Sequence, residues 1–443
     1  MKNITFIILS IFLYQLSWAQ ESLLQSGPMV GYSTMKEVLL WVQTTKEAQV
    51  YFEYWDEKAP TIIHRTEEVV TSKDDAYVAR LLADELEPGI QYNYALYINK
   101  KKIDRPYRLH FESQPLWKWR GDAPDFSFAM GSGTYISEEK YDRPGTPYGG
   151  DYQIFTDIYK RAPNFMLWLG DNVYLREADW NSKTGIYYRY TDTRSNPEMQ
   201  AMLGSMHHYA IWDDHDFGPN DSDRSFPMKK VTEKAFKLFF ANPNYIFDEG
   251  TTGMFQWADC DFFLMDNRYW RTPNKRTDIK DHQFLGEQQI QWLMDALVNS
   301  FAPFKFVVMG GEFLDPAKEY ERYAHYAPAE RQKIIDAIEK LKIDGVIFIT
   351  GDVHYTELSK LDLTNGYPLY DLTVSPLTSM ANEHEIAVNP LQVDGTLVTE
   401  RNYAQIKVFG SRKSRALKIN IFNSNGKLLW NQVIQANDLK FPR

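Results

Sequence analysis

Phe165-Met166-Leu167-Trp168-Leu169-Gly170-Asp171-Asn172-Val173-Tyr174 is an apolar run that stops abruptly at a glycine and a carboxylate. A short apolar run bounded by a turn signal reads as a strand buried on both faces. The figure recurs along the chain. Phe126-Ser127-Phe128-Ala129-Met130 runs into Gly131-Ser132-Gly133-Thr134-Tyr135, and Tyr209-Ala210-Ile211-Trp212 into Asp213-Asp214-His215-Asp216. Phe262-Phe263-Leu264-Met265 runs into Asp266-Asn267-Arg268, and Phe306-Val307-Val308-Met309 into Gly310-Gly311-Glu312. Val346-Ile347-Phe348-Ile349-Thr350 runs into Gly351-Asp352-Val353-His354. Open α/β sheets bind ligands outside the carboxyl ends of their strands. These ends therefore predict one rim rich in Asp, His, Tyr, Asn and Glu. A single Gly-Asp at a strand end is ordinary turn chemistry; a series of one chemical character points to a site.

Carboxylate, imidazole, phenolate and amide oxygen are hard-to-borderline donors, suited to Fe(III), Mn, Mg, Ca or Zn. Several carboxylates together repel one another unless cations neutralise them. Asp213-Asp214-His215-Asp216 is the densest such group, and its alternative is a solvated acidic loop. A pair of metals would clamp an anionic ester and acidify a water, which suits phosphoester hydrolysis. His354, two residues from Asp352, reads as a ligand or as a satisfied loop histidine. His207 and His208 precede a strand and read as structural.

The rest of the chain frames this rim. Apolar residues at helical spacing predict helices over 287–298 and 328–341, the second with Pro328 in its first turn. Ser424-Asn425-Gly426 predicts a hairpin among terminal antiparallel strands at 404–435. Residues 20–115 carry strand patterns only. There, Leu86-Glu87-Pro88-Gly89 feeds the alternating Gln91-Tyr92-Asn93-Tyr94, as in the tyrosine corner of immunoglobulin-like sandwiches, and Trp41 is the expected core tryptophan. The organisation predicted is a leader over 1–19, a small immunoglobulin- or fibronectin-like β-sandwich over 20–115, and an α/β domain over 116–443. The leader reading rests on Lys2, the short apolar run Ile4 to Leu13 and the small residues Ser17 and Ala19. It implies a secreted or periplasmic protein without a transmembrane anchor.

Composition narrows the field. The 443 residues are 44% hydrophobic and 24% charged, which excludes wholesale disorder and a collagen-like fibre. One cysteine, Cys260, rules out an intrachain disulfide and a Cys-based metal cluster. A net charge of −10 argues against non-specific nucleic-acid binding while leaving an anionic small substrate open.

Gly-Asp-Asn-Val-Tyr (170–174), Trp-Asp-Asp-His-Asp (212–216) and Thr-Gly-Asp-Val-His (350–354), in that order, resemble the motifs of PhoD-type alkaline phosphatases. These are metallophosphoesterases that share the Gly-Asp-x-x-Tyr element with purple acid phosphatases. The resemblance covers nearly the whole mature chain. It implies a mixed β-sheet core flanked by helices, an immunoglobulin-like domain before it, and hydrolysis of phosphate mono- or diesters by a metal-activated hydroxide. Asp171 would bridge two metals, Tyr174 would bind Fe³⁺ as phenolate, and Asp214, Asp352 and His354 would be further ligands. His215 would bond the phosphoryl group or protonate the leaving oxygen. Arg268 would contact a phosphate oxygen, while Glu312 and Asp213 would bind metal or position water. Asn172, Arg176 and Arg189 form a substrate rim, the last two within a tract (176–194) that otherwise reads as a surface helix. Fe³⁺ with Ca²⁺ is the implied metal pair, with Zn²⁺ or Mn²⁺ as alternatives.

The chain departs from the pattern at one position. Where PhoD-type enzymes usually place an iron-binding cysteine, this chain has Gly133, leaving Ser132, Thr134 or water to fill the gap. Two other readings stand beside the phosphoesterase. One is a phospholipase D-like or other ester hydrolase on the same metals. The other is a non-catalytic surface-binding protein with a decayed site.

Overall fold

The computed structural model describes residues 22–318, 322–364, 366–382 and 386–442; the expected leader over 1–19 lies outside them. The apolar runs form strands as expected, but they divide between two sheets instead of lining one. Phe126–Gly131, Phe165–Leu169 and His207–Ile211 are parallel neighbours in a nine-stranded sheet. Cys260–Leu264, Phe304–Val308 and Val346–Thr350 are parallel neighbours in a six-stranded sheet.

Side-chain alternation explains the layering. Phe165, Leu167 and Leu169 point into a cluster shared with Phe262, Phe306, Val308 and Ile349 of the other sheet, whereas Met166 and Trp168 point the opposite way. Across the interface Phe128 meets Phe306 edge-on at 5.7 Å, and Tyr209 stacks on Phe255 at 3.6 Å. Each fully buried aromatic or aliphatic side chain contributes about 1.5–3 kcal/mol. The helices Glu287–Asn299 and Pro328–Lys340 cover the outer face of the six-stranded sheet through Ile290, Leu293, Ile334 and Ile338. Ala416–Asn423 and Leu428–Gln435 form the expected hairpin, with Gly426 in the left-handed conformation its turn needs. No helix among the described residues is long and apolar enough to cross a membrane.

The strands before residue 115 enclose a core of their own. Leu24–Ser33, Val38–Thr44 and Val78–Ala83 face a second sheet built on Gln49–Asp56 and Gln91–Ile98. Tyr92 makes the corner contact, its hydroxyl accepting from the Glu87 amide at 2.8 Å. Trp41 is a correction. Leu40 and Val42 face the sandwich core, so alternation turns Trp41 to the opposite side. There its indole donates to the Leu238 carbonyl at 2.9 Å and packs on Phe239.

This N-terminal part is joined to the larger sheet. Leu24–Ser33 pairs in parallel with His207–Ile211, Val30 opposite His207. The buried imidazole of His207 contacts the Gly31 carbonyl at 2.8 Å and accepts from the Glu112 amide at 3.2 Å. Burial pushes its pKa down to about 4, so the ring is neutral in the folded chain. Because the folded-state pKa lies below the unfolded one, its contribution to stability is full above about pH 6.5 and falls away towards pH 4. His207→Ala should cost about 1–3 kcal/mol at pH 7.5 through the unpaired Gly31 and Glu112 groups. In thermal melts that deficit should shrink as pH falls from 6.5 to 4. A deficit independent of pH would show that His207 is not held neutral.

Candidate functional site

The strand ends of the two sheets meet. A Cβ on Gly351 would lie 2.7 Å from Ser132, and one on Gly310 would lie 2.1 Å from Asp213 Oδ2. The two sets of expected motifs therefore lie against each other. Gly310 is required there because any side chain would displace the Asp213 carboxylate.

Asp171, Asp352 and His354 all have positive φ, at 51°, 74° and 61°. Asp and His tolerate this left-handed region better than most residues, and it lets the chain turn sharply off the strand end while the side chain stays in the rim. The Tyr174 hydroxyl lies 3.1 Å from Asp171 Oδ2 and 3.0 Å from His354 Nε2. His215 stacks on the Tyr174 ring with centroids 4.2 Å apart. Tyr148 reaches in from a loop, its hydroxyl 3.1 Å from His354 Nδ1. Asp171, Asp214 and His215 offer ligand atoms within 4.8 Å of one another, and so do Asp213, Asp214 and Asp352. Asp171 and Asp214 are buried, while His215, Asp352 and His354 form the accessible edge.

Asp213 caps the one-turn helix Asp214–Phe217 in a capping box with Asp216. Its Oδ1 also accepts from the Arg268 guanidinium and, at 2.8 Å, from Asn267. Arg268 stands 3.6 Å from Asp214 Oδ1, and Asp214 Oδ2 accepts from the Asp221 amide at 2.7 Å. Asp216 receives the Asn172 amide at 3.1 Å and the Asp213 amide at 2.9 Å.

The charge balance of this group is uneven. Burial and the carboxylates of Asp214, Asp213, Asp352 and Asp216 drive the Asp171 pKa far up. Burial also raises Asp216 to about 8. Asp214 goes the other way: against the cost of burial, His215 and Arg268 hold it ionised. Burial, then the nearby His215, lowers His354 to about 4, which leaves its imidazole neutral. A buried cation is the group that would let Asp171, Asp214 and Asp352 ionise together. Asp214 Oδ1 has no hydrogen-bond partner, so the donor set fits one or more hard cations.

Other expected residues fall elsewhere. Arg268 is fully buried, with its guanidinium on Asp213 and 3.6 Å from Asp214, so it is turned to these carboxylates and not to an open rim. Arg176 is buried against Asp142 and the Ile136 and Tyr174 carbonyls. Arg189 is fully buried against Asp179, Glu138 and Asp192. Both belong to the packing of the helix Lys183–Arg194 and its flank, and neither forms a rim. Asn172 is buried and donates to the Ile211 carbonyl at 2.8 Å. Glu312 joins a separate buried cluster with Asp315 and Glu357, where Arg322 bonds it at 2.9 Å. Cys260 is buried in the core, and His208 accepts from the Trp168 indole at 3.0 Å.

Sequence reading passed over Asn267 as a partner of Asp213 and missed Ser379, whose Oγ lies 3.5 Å from His354 Nε2. Ser379 follows Pro368–Thr373, a further parallel strand beside Val346–Thr350. That strand carries Tyr370 and Asp371 in its middle, so it lacks the apolar run that marks the other strands.

Arg268→Met should destabilise the metal-free protein by about 3–5 kcal/mol, because it strands buried carboxylates without their cation. Urea unfolding in chelator measures this. A loss under about 1 kcal/mol would mean that Asp213 and Asp214 do not depend on Arg268.

Comparison with known proteins bears on this site. Residues 132–433 match the model of the PhoD-like phosphatase family. Alkaline phosphatase D of Bacillus subtilis (strain 168) is 22% identical over 342 residues, covering 65% of this chain. The match spans 54% of that relative's length, so the chain corresponds to about half of it. The solved structure of PhoD superposes with a TM-score of 0.76 at 17% identity, covering 95% of this chain and 92% of that one. Purple acid phosphatase PPD1 from yellow lupin superposes at 0.70 with 13% identity, covering 94% and 76%. The fold is thus the mixed-sheet fold of these phosphatases, and the chain belongs to the PhoD-like phosphatase family.

Proposed function

We propose that this protein is an exported, metal-dependent phosphoesterase that hydrolyses phosphate mono- or diesters. One observation carries the reading: a buried group of carboxylates, with a phenol and two imidazoles, converges where the strand ends of both sheets meet. Such a group is costly without cations, and metallophosphoesterase chemistry uses them.

In this reading Asp171, Asp213, Asp214 and Asp352 hold the more acidic side of the centre. Tyr174 and His354, with Asp171, hold the other. When bound, the cations supply Lewis acidity that polarises the phosphoryl group and activates water. Arg268 and Asn267 keep Asp213 in place. His215, on the accessible edge and braced against the Tyr174 ring, holds a proton for the leaving oxygen. The oxygen-rich donor set favours Fe³⁺ with Ca²⁺, and Zn²⁺ and Mn²⁺ are the alternatives to test. Residues 1–19 are the export leader of this proposal. Residues 20–115 serve as a positioning module for the catalytic part, 116–443.

The test is turnover of an aryl phosphate monoester and its diester by the mature protein, with Fe, Ca, Zn or Mn supplied and a chelator control. Chelator-sensitive hydrolysis is expected, and Asp214→Ala should abolish it without loss of the folded state by circular dichroism. Turnover that survives both would overturn the metal reading. His215→Asn should lower kcat by about 10²–10⁴-fold while metal content stays unchanged. A change in KM alone would remove His215 from proton transfer.

A further inference from the structure

We propose that the hydroxyl of Ser379 is a metal ligand in this chain, completing the donor set of Asp171, Tyr174 and His354. The inference rests on the metal-dependent reading above and adds a residue that lies outside all of the recognised motifs.

Ser379 is fully buried. Its backbone is fixed on both sides: the amide donates to the Gly133 carbonyl at 2.9 Å, and its own carbonyl accepts from Arg401 at 2.9 Å. The side chain is therefore aimed by its backbone and not by chance packing. Its Oγ lies 3.5 Å from His354 Nε2. Tyr174 in turn lies 3.0 Å from His354 and 3.1 Å from Asp171. Donors held about 2.0–2.2 Å from one ion sit about 2.8–3.6 Å from each other in octahedral or tetrahedral arrangements. All of these separations fall in that range.

Gly133 explains why a serine can stand there. Its φ is +72°, and a Cβ on it would lie 2.7 Å from Ser379 Oγ and 3.1 Å from Pro376 Cβ. The Ser379 hydroxyl thus occupies the volume that a side chain at position 133 would fill. The neighbouring hydroxyls differ. Ser132 Oγ bonds the Val374 carbonyl at 3.2 Å and accepts from the Asp352 amide at 3.1 Å, so it ties the loop together. Thr134 Oγ1 is buried without a partner and is the natural competitor. A hydroxyl at this position keeps the centre entirely oxygen- and nitrogen-liganded, which selects hard cations over thiophilic ones.

Cobalt(II) binding to the full mature protein tests this by absorbance and by competition with a chelating dye. Ser379→Ala should weaken cobalt binding by about 10–100-fold, and Thr134→Val should leave it unchanged. Gly133→Ala should act like Ser379→Ala, because the added methyl displaces the hydroxyl. Ser379→Cys should add a thiolate-to-cobalt charge-transfer band to the wild-type spectrum, a signal that needs direct coordination and does not depend on activity. Normal affinity in Ser379→Ala, or no new band in a folded Ser379→Cys protein that binds cobalt, would overturn the inference alone. A wild-type protein that binds no metal would overturn it together with the metal-dependent reading.

Discussion

The ion pair between Arg268 and Asp213 joins the two sheets at the point where the chemistry is gathered. Arg268 comes from just beyond Cys260–Leu264 in one sheet, and Asp213 from just beyond His207–Ile211 in the other. Neither side chain is exposed to solvent. A buried charge pair is retained only when its geometry and accompanying hydrogen bonds are good. Here Asn267 and the capping box supply those bonds. Asp214 then stands beside the same guanidinium, and Asp171 stands against Asp214. One fixed positive charge sets the position of the acidic group, but it cannot neutralise all of it. That imbalance is what an added cation would correct.

Backbone conformation contributes a second constraint. Asp171, Asp352 and His354 each adopt positive φ at a strand end. A left-handed L-residue costs roughly 1–2 kcal/mol, and such strain persists where the surroundings over-determine it. The glycines that precede two of these residues permit close approach, Gly170 to Asp213 and Gly351 to Ser132. The apolar faces of the sheets offset this cost, since the aromatic layer between them fixes the strands whose ends carry the acidic group.

The N-terminal strands are less separate than their β-only composition implies. They enclose their own core, yet Leu24–Ser33 extends the larger sheet and Trp41 packs on the helix Lys229–Phe239. His207, at the start of the strand whose far end leads to Asp213, bonds backbone groups of this N-terminal part. The sandwich therefore buttresses the strand that leads into Asp213 to Asp216.

Much of the site was legible in the linear chain. A strand buried on both faces must be apolar, and it must end where polar groups can be satisfied, so an abrupt stop marks a strand end without knowledge of its neighbours. That local rule located Asp171, Tyr174, Asp213, Asp214, His215, Asp352 and His354. It failed for the strand before Ser379, whose central Asp371 is buried but satisfied by the Phe313 and Leu314 amides and by Thr350. The rule is also silent on which sheet a strand joins, because pairing depends on contacts far apart in sequence. The division into two sheets and the turning of Trp41 away from its own sandwich are of this kind. So are the commitment of Arg176, Arg189 and Arg268 to internal carboxylates and the approach of Ser379 to the space above Gly133. Residue type fixed which chemistry was available. Tertiary structure decided which charges face each other, because electrostatic partnership is a matter of distance and burial, and neither is written in spacing along the chain.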